Sequence, residues 1–178
     1  MRKIKVTAVS YLNTKPLLYG IFKHPIAAQI DLKLDIPSVC ARRLRDGEAD
    51  LGLVPVAAIP ELRHARLISD YCIGTVGPVQ TVALFAEQPI DALTHLYLDH
   101  HSRTSVELTK ILLREYWQLS PTLLPAHDGY IDELGGTTGG LVIGDRTIGL
   151  DRRFPYRYDL GQAWMNHTGL PFVFAAWI

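Results

Sequence analysis

The chemistry-bearing side chains of this chain collect in three short stretches. VSYLNTKPL, residues 9–17, sets Ser10, Tyr11, Asn13 and Thr14 directly after an apolar, strand-like run. An asparagine amide both donates and accepts, so Asn13 suits a hydroxyl or carboxylate of a small ligand. The same residues would equally serve a loop whose polar groups satisfy its own backbone. HHSRTSVELTKILL places Ser102, Arg103, Thr104 and Ser105 ahead of an apolar stripe at Val106, Leu108, Ile111 and Leu112. A helix starting there offers unpaired N–H groups and a positive dipole end to an anion. Hydroxyls and an arginine beside it suit a carboxylate. Thr104 with Glu107 also fits a capping box, the plainer use of the same residues, and the two uses are compatible. IGDR, residues 143–146, puts Gly144 and Asp145 at a strand end, as ligand contacts or as the start of a helical turn.

Other chemistries find less support. Asp99, His100 and His101 have the types of metal ligands, but adjacent histidines on a strand point to opposite faces. No second acidic cluster accompanies them, so no metal is expected. GGTTGG, residues 135–140, matches neither a dinucleotide fingerprint nor a P-loop and reads as a flexible turn. No serine-hydrolase motif and no nucleophile–base pair is evident. Cys40 and Cys72 lack the spacing of a disulfide framework or a zinc site, which suggests free thiols and a cytoplasmic protein. Lys plus Arg number 18 and Asp plus Glu 18, a balance that gives no electrostatic reason to expect nucleic acid or an anionic membrane as partner. The basic N-terminus carries too short and broken an apolar run for a signal peptide. No apolar run approaches the ~20 residues that cross a bilayer.

These stretches need elements to hold them. Residues 4–9 and 50–56 read as strands, and IDLKLDI, residues 30–36, alternates as a half-buried strand does. Residues 16–22 read as a helix with Pro16 in its first turn. A second helix, capped by Ser38, runs to about Gly47. This β-α-β-α-β order predicts a parallel sheet with crossover helices. An extended segment at 71–87 follows, broken by Gly74, Gly77 and Pro78. Then come a strand at 96–98, a helix at 105–117, a strand at 122–124, a short helix at 130–134, a strand at 141–143, a helix at 159–167 and a closing apolar strand within 169–177. The expected architecture is α/β in two lobes, residues 1–76 plus 171–178 and residues 77–170. Two crossing segments would make a hinge, and ligands commonly bind between lobes and beyond the carboxyl ends of parallel strands. Few residues follow the last strand to cover the first lobe's sheet, and bare sheet faces are costly. C-terminal helices of that lobe are therefore expected to be lacking.

Taken in order along nearly the whole chain, VSYLNTKPL, DLGLVPVAAIP, CIGTVGPVQTVALF, SRTSVELTKILL, LVIGDRTI, YDLGQAW and TGLPFVFAAW resemble the chorismate dehydratases of menaquinone biosynthesis by the futalosine route. The sister enzyme of that route carries a Ser-Pro-Cys-Pro-Asn type first loop, absent here. The resemblance implies a type II periplasmic-binding-protein-like fold used as an enzyme. It implies a lyase that converts chorismate to 3-[(1-carboxyvinyl)oxy]benzoate and water, with no metal and no organic cofactor. On this resemblance Thr81 falls where the family has a small hydroxyl residue near the substrate. Asn13 lies closest to the chemistry, Ser10 and Tyr11 bind other polar groups, and Pro55 and Val56 shape the wall. No side chain is read as the base; the substrate's own side-chain carboxylate would serve once positioned. Family members usually continue past FAAW with further helices. The alternative is a non-catalytic protein of the same fold that binds a small carboxylate.

Overall fold

The computed structural model describes residues 2–99 and 101–178. His100, weighed above as a metal ligand, lies outside the described residues. The chain divides into two compact units, Met1–Ile73 with Val173–Ile178, and Gly74–Phe172.

In the first unit, β1 (Ile4–Val9), β2 (Ile30–Asp35) and β3 (Leu51–Pro55) are parallel, with β1 in the middle. The last strand, β10 (Phe172–Trp177), pairs antiparallel with β3, and β4 (Cys72–Thr75) lies beyond it, giving the order β2-β1-β3-β10-β4. Successive strand side chains face opposite ways, so the sheet feeds two cores. Val6, Ala8 and Leu53 join Leu18, Ala175 and Trp177 on one side. Val9 and Val54 join Cys40, Ala41, Ala58 and Ile178 on the other. Helix α1 (Lys15–Lys23) starts with Pro16 in its first turn and lays Leu17, Leu18 and Ile21 on the first core. Helix α2 (Pro37–Arg45) buries Cys40 and Ala41 on the second, and Gly47, with φ 71°, follows its end. The expected Ser38 cap is not found. The cap position is Ile36, without a side-chain cap, because Pro37 occupies the first helical position and has no N–H to satisfy.

The second unit holds the order β7-β6-β8-β5-β9. Strands β6 (His95–Leu98), β7 (Thr122–Pro125) and β8 (Thr138–Ile143) are parallel; β5 (Val82–Ala86) runs antiparallel to β8 and to β9 (Tyr156–Asp159). The carboxyl ends of β6, β7, β8 and β9 therefore share one edge with the start of β5. Ala83, Phe85 and Val142 pack with Tyr130, Leu134 and Phe154 on one face. Leu84, Leu96 and Leu141 are fully buried, each contributing about 1.5–3 kcal/mol. Helix α3 (Arg103–Leu112) continues into a wider turn at Leu113–Trp117, and α4 (Leu160–Thr168) is capped by Asp159.

Two expectations are corrected here. GGTTGG is not simply a flexible turn: Thr138, Gly139 and Gly140 belong to β8 and pair with His95, Leu96 and Tyr97. A Cβ on Gly139 would lie 2.9 Å from Leu93 Cδ1 and 3.2 Å from the Phe85 carbonyl oxygen, so packing, not flexibility, requires glycine there. The second correction is strand β9, since the sequence pattern predicts no strand at residues 156–159. Among the described residues no helix is long and apolar enough to cross a membrane.

Candidate functional site

In the first unit, the loop after β1 sits at the carboxyl edge of the parallel strands. Ser10 donates its N–H to the Asp35 carbonyl at 3.0 Å, tying the loop to the end of β2. Leu12–Thr14 forms a single 3-10 turn closed by the Thr14 N–H on the Tyr11 carbonyl at 3.1 Å, with no side-chain cap. Ser10 and Asn13 are exposed, and Tyr11 packs against the core around Val9. Thr14 is buried, and its hydroxyl has no hydrogen-bond partner among the described residues. Such a group costs about 1–3 kcal/mol unless something bonds to it. The backbone, not the side chains, thus closes this turn. Pro55, buried, and Val56, half-buried, close the end of β3 at the same edge.

In the second unit, most of the remaining candidate residues meet at the shared strand edge. Thr81 enters β5, and its carbonyl accepts the Gly144 N–H at 2.8 Å. Gly144 and Asp145 open a 3-10 turn, Gly144–Thr147, held by the Thr147 hydroxyl on the Gly144 carbonyl at 2.8 Å. That turn carries Arg146, whose Nη2 pairs with Asp99 Oδ2. Asp99, fully buried at the end of β6, also accepts the His101 N–H at 3.0 Å and the Tyr130 hydroxyl at 3.3 Å. Tyr130 donates more closely to the Leu141 carbonyl, at 2.7 Å. Burial, then the Asp99 charge, push the Tyr130 phenol above its ordinary value. Ser102 caps α3: its hydroxyl accepts the Ser105 N–H at 3.2 Å and lies 2.9 Å from the Ser105 hydroxyl. The capping box expected of Thr104 and Glu107 is therefore corrected. The helix begins two residues earlier than Thr104 would place it, and Glu107 pairs with Lys110 at 2.8 Å. Arg103 is half-buried, and Thr104 and Ser105 are buried at this helix start.

The edge thus presents a helix start with two hydroxyls, a guanidinium anchored from below by a buried carboxylate, and a threonine one hydrogen bond away. Guanidinium and hydroxyl groups are of the kind that bind carboxylates and hydroxyls. Among the described residues no three His, Cys, Asp or Glu side chains come together as a metal site.

The family described as "Menaquinone biosynthesis" matches residues 4–178. The chain belongs to this family. A curated relative, the chorismate dehydratase of Thermus thermophilus, is 31% identical over 162 residues, 80% of this chain. This chain spans 58% of that relative's length. Among solved structures, a protein of Archaeoglobus fulgidus aligns with TM-score 0.72 at 16% identity, over 98% of this chain and 67% of that one. The periplasmic aliphatic sulphonate binding protein SsuA of Escherichia coli aligns with TM-score 0.57 at 16% identity, over 99% and 64%. At these identities the likeness is one of fold: the family member has the periplasmic-binding-protein-like α/β architecture.

Three residues were not singled out from sequence. Arg146 was read only as the end of IGDR, Tyr130 as part of a short helix, and Asp159 as a helix start. For Arg146 a signal existed: an arginine two residues after a strand-ending glycine, with an acidic residue ending the neighbouring strand. Tyr130 and, beyond its cap of α4, Asp159 act through partners distant in sequence, and no local pattern marks those bonds.

Proposed function

We propose that this chain is a lyase that converts chorismate to 3-[(1-carboxyvinyl)oxy]benzoate and water, a step of menaquinone biosynthesis by the futalosine route. The observation that supports it most is the 31% identical chorismate dehydratase. Gathered at one sheet edge are residues suited to a hydroxylated ring carboxylate. The reaction breaks a ring C–H bond beside the enol ether and the C–O bond of the neighbouring hydroxyl. The proton passes to a base, the hydroxyl leaves as water after taking up a proton, and the electron pair completes an aromatic ring. Aromatisation supplies the drive, so the protein's work is binding and orientation, worth up to ~7–11 kcal/mol when ideal.

Residues 102–105 at the start of α3, with Arg146, hold one substrate carboxylate. Arg146 suits this because its pairing with buried Asp99 fixes the guanidinium plane while its side chain stays 36% exposed. Gly144 and Asp145 line the same edge. Thr81 hydrogen-bonds the departing hydroxyl. By the resemblance in sequence, Asn13 is assigned to the reaction, Ser10 and Tyr11 to polar groups of the substrate, and Pro55 and Val56 to an apolar wall. The substrate's side-chain carboxylate takes the proton, which accounts for the lack of a nucleophile–base pair in this reading.

The test is incubation of the chain with chorismate, followed by chromatography and mass spectrometry. A product one water lighter with an aromatic spectrum, well above the enzyme-free control, is expected. Chorismate left intact at the control level would overturn the reading, and binding without turnover would favour a carboxylate-binding protein. Asn13→Ala and Thr81→Ala should each lower kcat by about 10²-fold if they orient the reacting groups. Near-normal turnover in both would remove them from the site.

A further inference from the structure

We infer that Asp159 is a positioning residue for Thr81: it moulds the loop of residues 75–81, and with it the reacting edge, from the start of α4. The inference rests on the dehydratase reading above and adds the device that aims its hydroxyl. The Asp159 carboxylate accepts three backbone N–H groups. Gln162 N–H, at 3.1 Å, is the ordinary cap of α4. The other two come from a loop 80 residues away in sequence: Val79 N–H at 3.0 Å and Gln80 N–H at 2.7 Å. A helix cap needs only the first bond.

The loop that these bonds hold is in a conformation it would not keep alone. Gln80 has φ 66°, the left-handed region that L side chains seldom adopt. Its amide is fixed by Asp159, and its carbonyl accepts Arg157 Nη2 at 2.6 Å. Thr81 follows at once, with its own carbonyl fixed by Gly144. The threonine is thus bracketed on both sides. Upstream, the Thr75 hydroxyl donates toward the Gly77 carbonyl at 3.1 Å and the Pro78 carbonyl at 3.0 Å. The loop lies so close on α4 that a Cβ on Gly161 would fall 2.6 Å from the Gly77 oxygen and 2.8 Å from Thr75 Cγ2. Apart from Gly144, the hydrogen bonds named here come from the loop itself or from Arg157 and Asp159. Strain of this kind persists where the surroundings over-determine it, and it clusters at reacting sites.

The decisive variant is Asp159→Ser. Serine is an equally good helix cap and keeps the bond to Gln162, but it is one carboxylate oxygen short and cannot hold both loop amides. The expected result is a fall in kcat of about 10²-fold with KM within about threefold, since misplacing a reacting group by about an ångström costs that much. Amide exchange should quicken at least about tenfold at Val79 and Gln80 while Gln162 keeps its protection. Gly161→Ala supports the same test independently, because it leaves Asp159 in place yet pushes the loop away; the same loss in kcat is expected. Wild-type kcat in both variants, or unchanged exchange at Val79 and Gln80 in Asp159→Ser, would overturn the inference and leave Asp159 a helix cap. Should the wild-type chain form no product from chorismate, it is the dehydratase reading that fails, and the exchange measurement alone decides whether Asp159 moulds the loop.

Discussion

Removing the carboxylate of Asp99 should destabilise the second unit by about 2–3 kcal/mol, and the figure can be built bond by bond. The pair with Arg146 is charge-assisted, worth about 1.5–3 kcal/mol. Arg146 is 36% exposed and regains water when the pair is broken, so the low end, about 1.5, applies. The His101 N–H at 3.0 Å loses its acceptor, for about 1 kcal/mol. The Tyr130 hydroxyl adds little, because its closer bond to the Leu141 carbonyl remains. With a urea slope of about 2 kcal/mol per molar, Asp99→Ala should lower the unfolding midpoint by about 1–1.5 M. The cycle with Arg146→Met is more telling. Without Arg146, Asp99 is a fully buried charge lacking its counter-ion. Asp99→Asn in that background should then cost almost nothing or stabilise, while in the wild type it costs about 1.5–2 kcal/mol. A shift below about 0.3 M for Asp99→Ala, or a cycle additive to within about 0.3 kcal/mol, would refute the claim that the carboxylate exists to hold the guanidinium.

Two further outcomes follow from burial and charge. In the native chain a thiol reagent should label Cys72 promptly and Cys40 only after unfolding, because Cys72 is exposed and burial both hides the Cys40 thiol and pushes its pKa up; two thiols reacting at one rate would contradict this. Tyr130 is held neutral in the fold, so its contribution is complete below the unfolded value of 10 and is lost as pH rises above it, by at most about 1.4 kcal/mol per pH unit. Urea midpoints measured above pH 10 should therefore fall more steeply for the wild type than for Tyr130→Phe, and parallel slopes would remove Tyr130 from that account.

Much of the fold was legible because its signals are local. IDLKLDI alternates, and β2 pairs with β1 along its full length. VALFA and the apolar end of β8 are continuous buried runs, as strands covered on both faces must be. Pro16 marked the first turn of α1. What failed locally was decided elsewhere. TGG opens β8 because Leu93 and Leu134 fill the space that side chains would take, and nothing within GGTTGG records those leucines. YRYD is four residues of exposed or half-buried aromatic and charge, too short to show an alternation, and it becomes a strand only because Phe85 and Leu84 offer it an open ladder.

For the site, the same division separates groups from geometry. Candidate ligand groups follow strand ends, and strand ends are visible in sequence, so Asn13, Ser102 and Gly144 are candidates on sequence alone. Their supports could not. Asp99, beside two histidines in sequence, has the type of a metal ligand although no metal is expected there; burial makes it the anchor of Arg146, 47 residues on. Asp159 reads as a helix cap, which it is; that it also carries two amides of a loop 80 residues earlier depends on β9 lying beside β5. Capping predicts one N–H at that carboxylate, and the structure puts three there. The surplus is what ties the aim of Thr81 to a residue whose local sequence asks only for a helix start, and it is why the Ser substitution, harmless to a cap, is the one that should be felt in kcat.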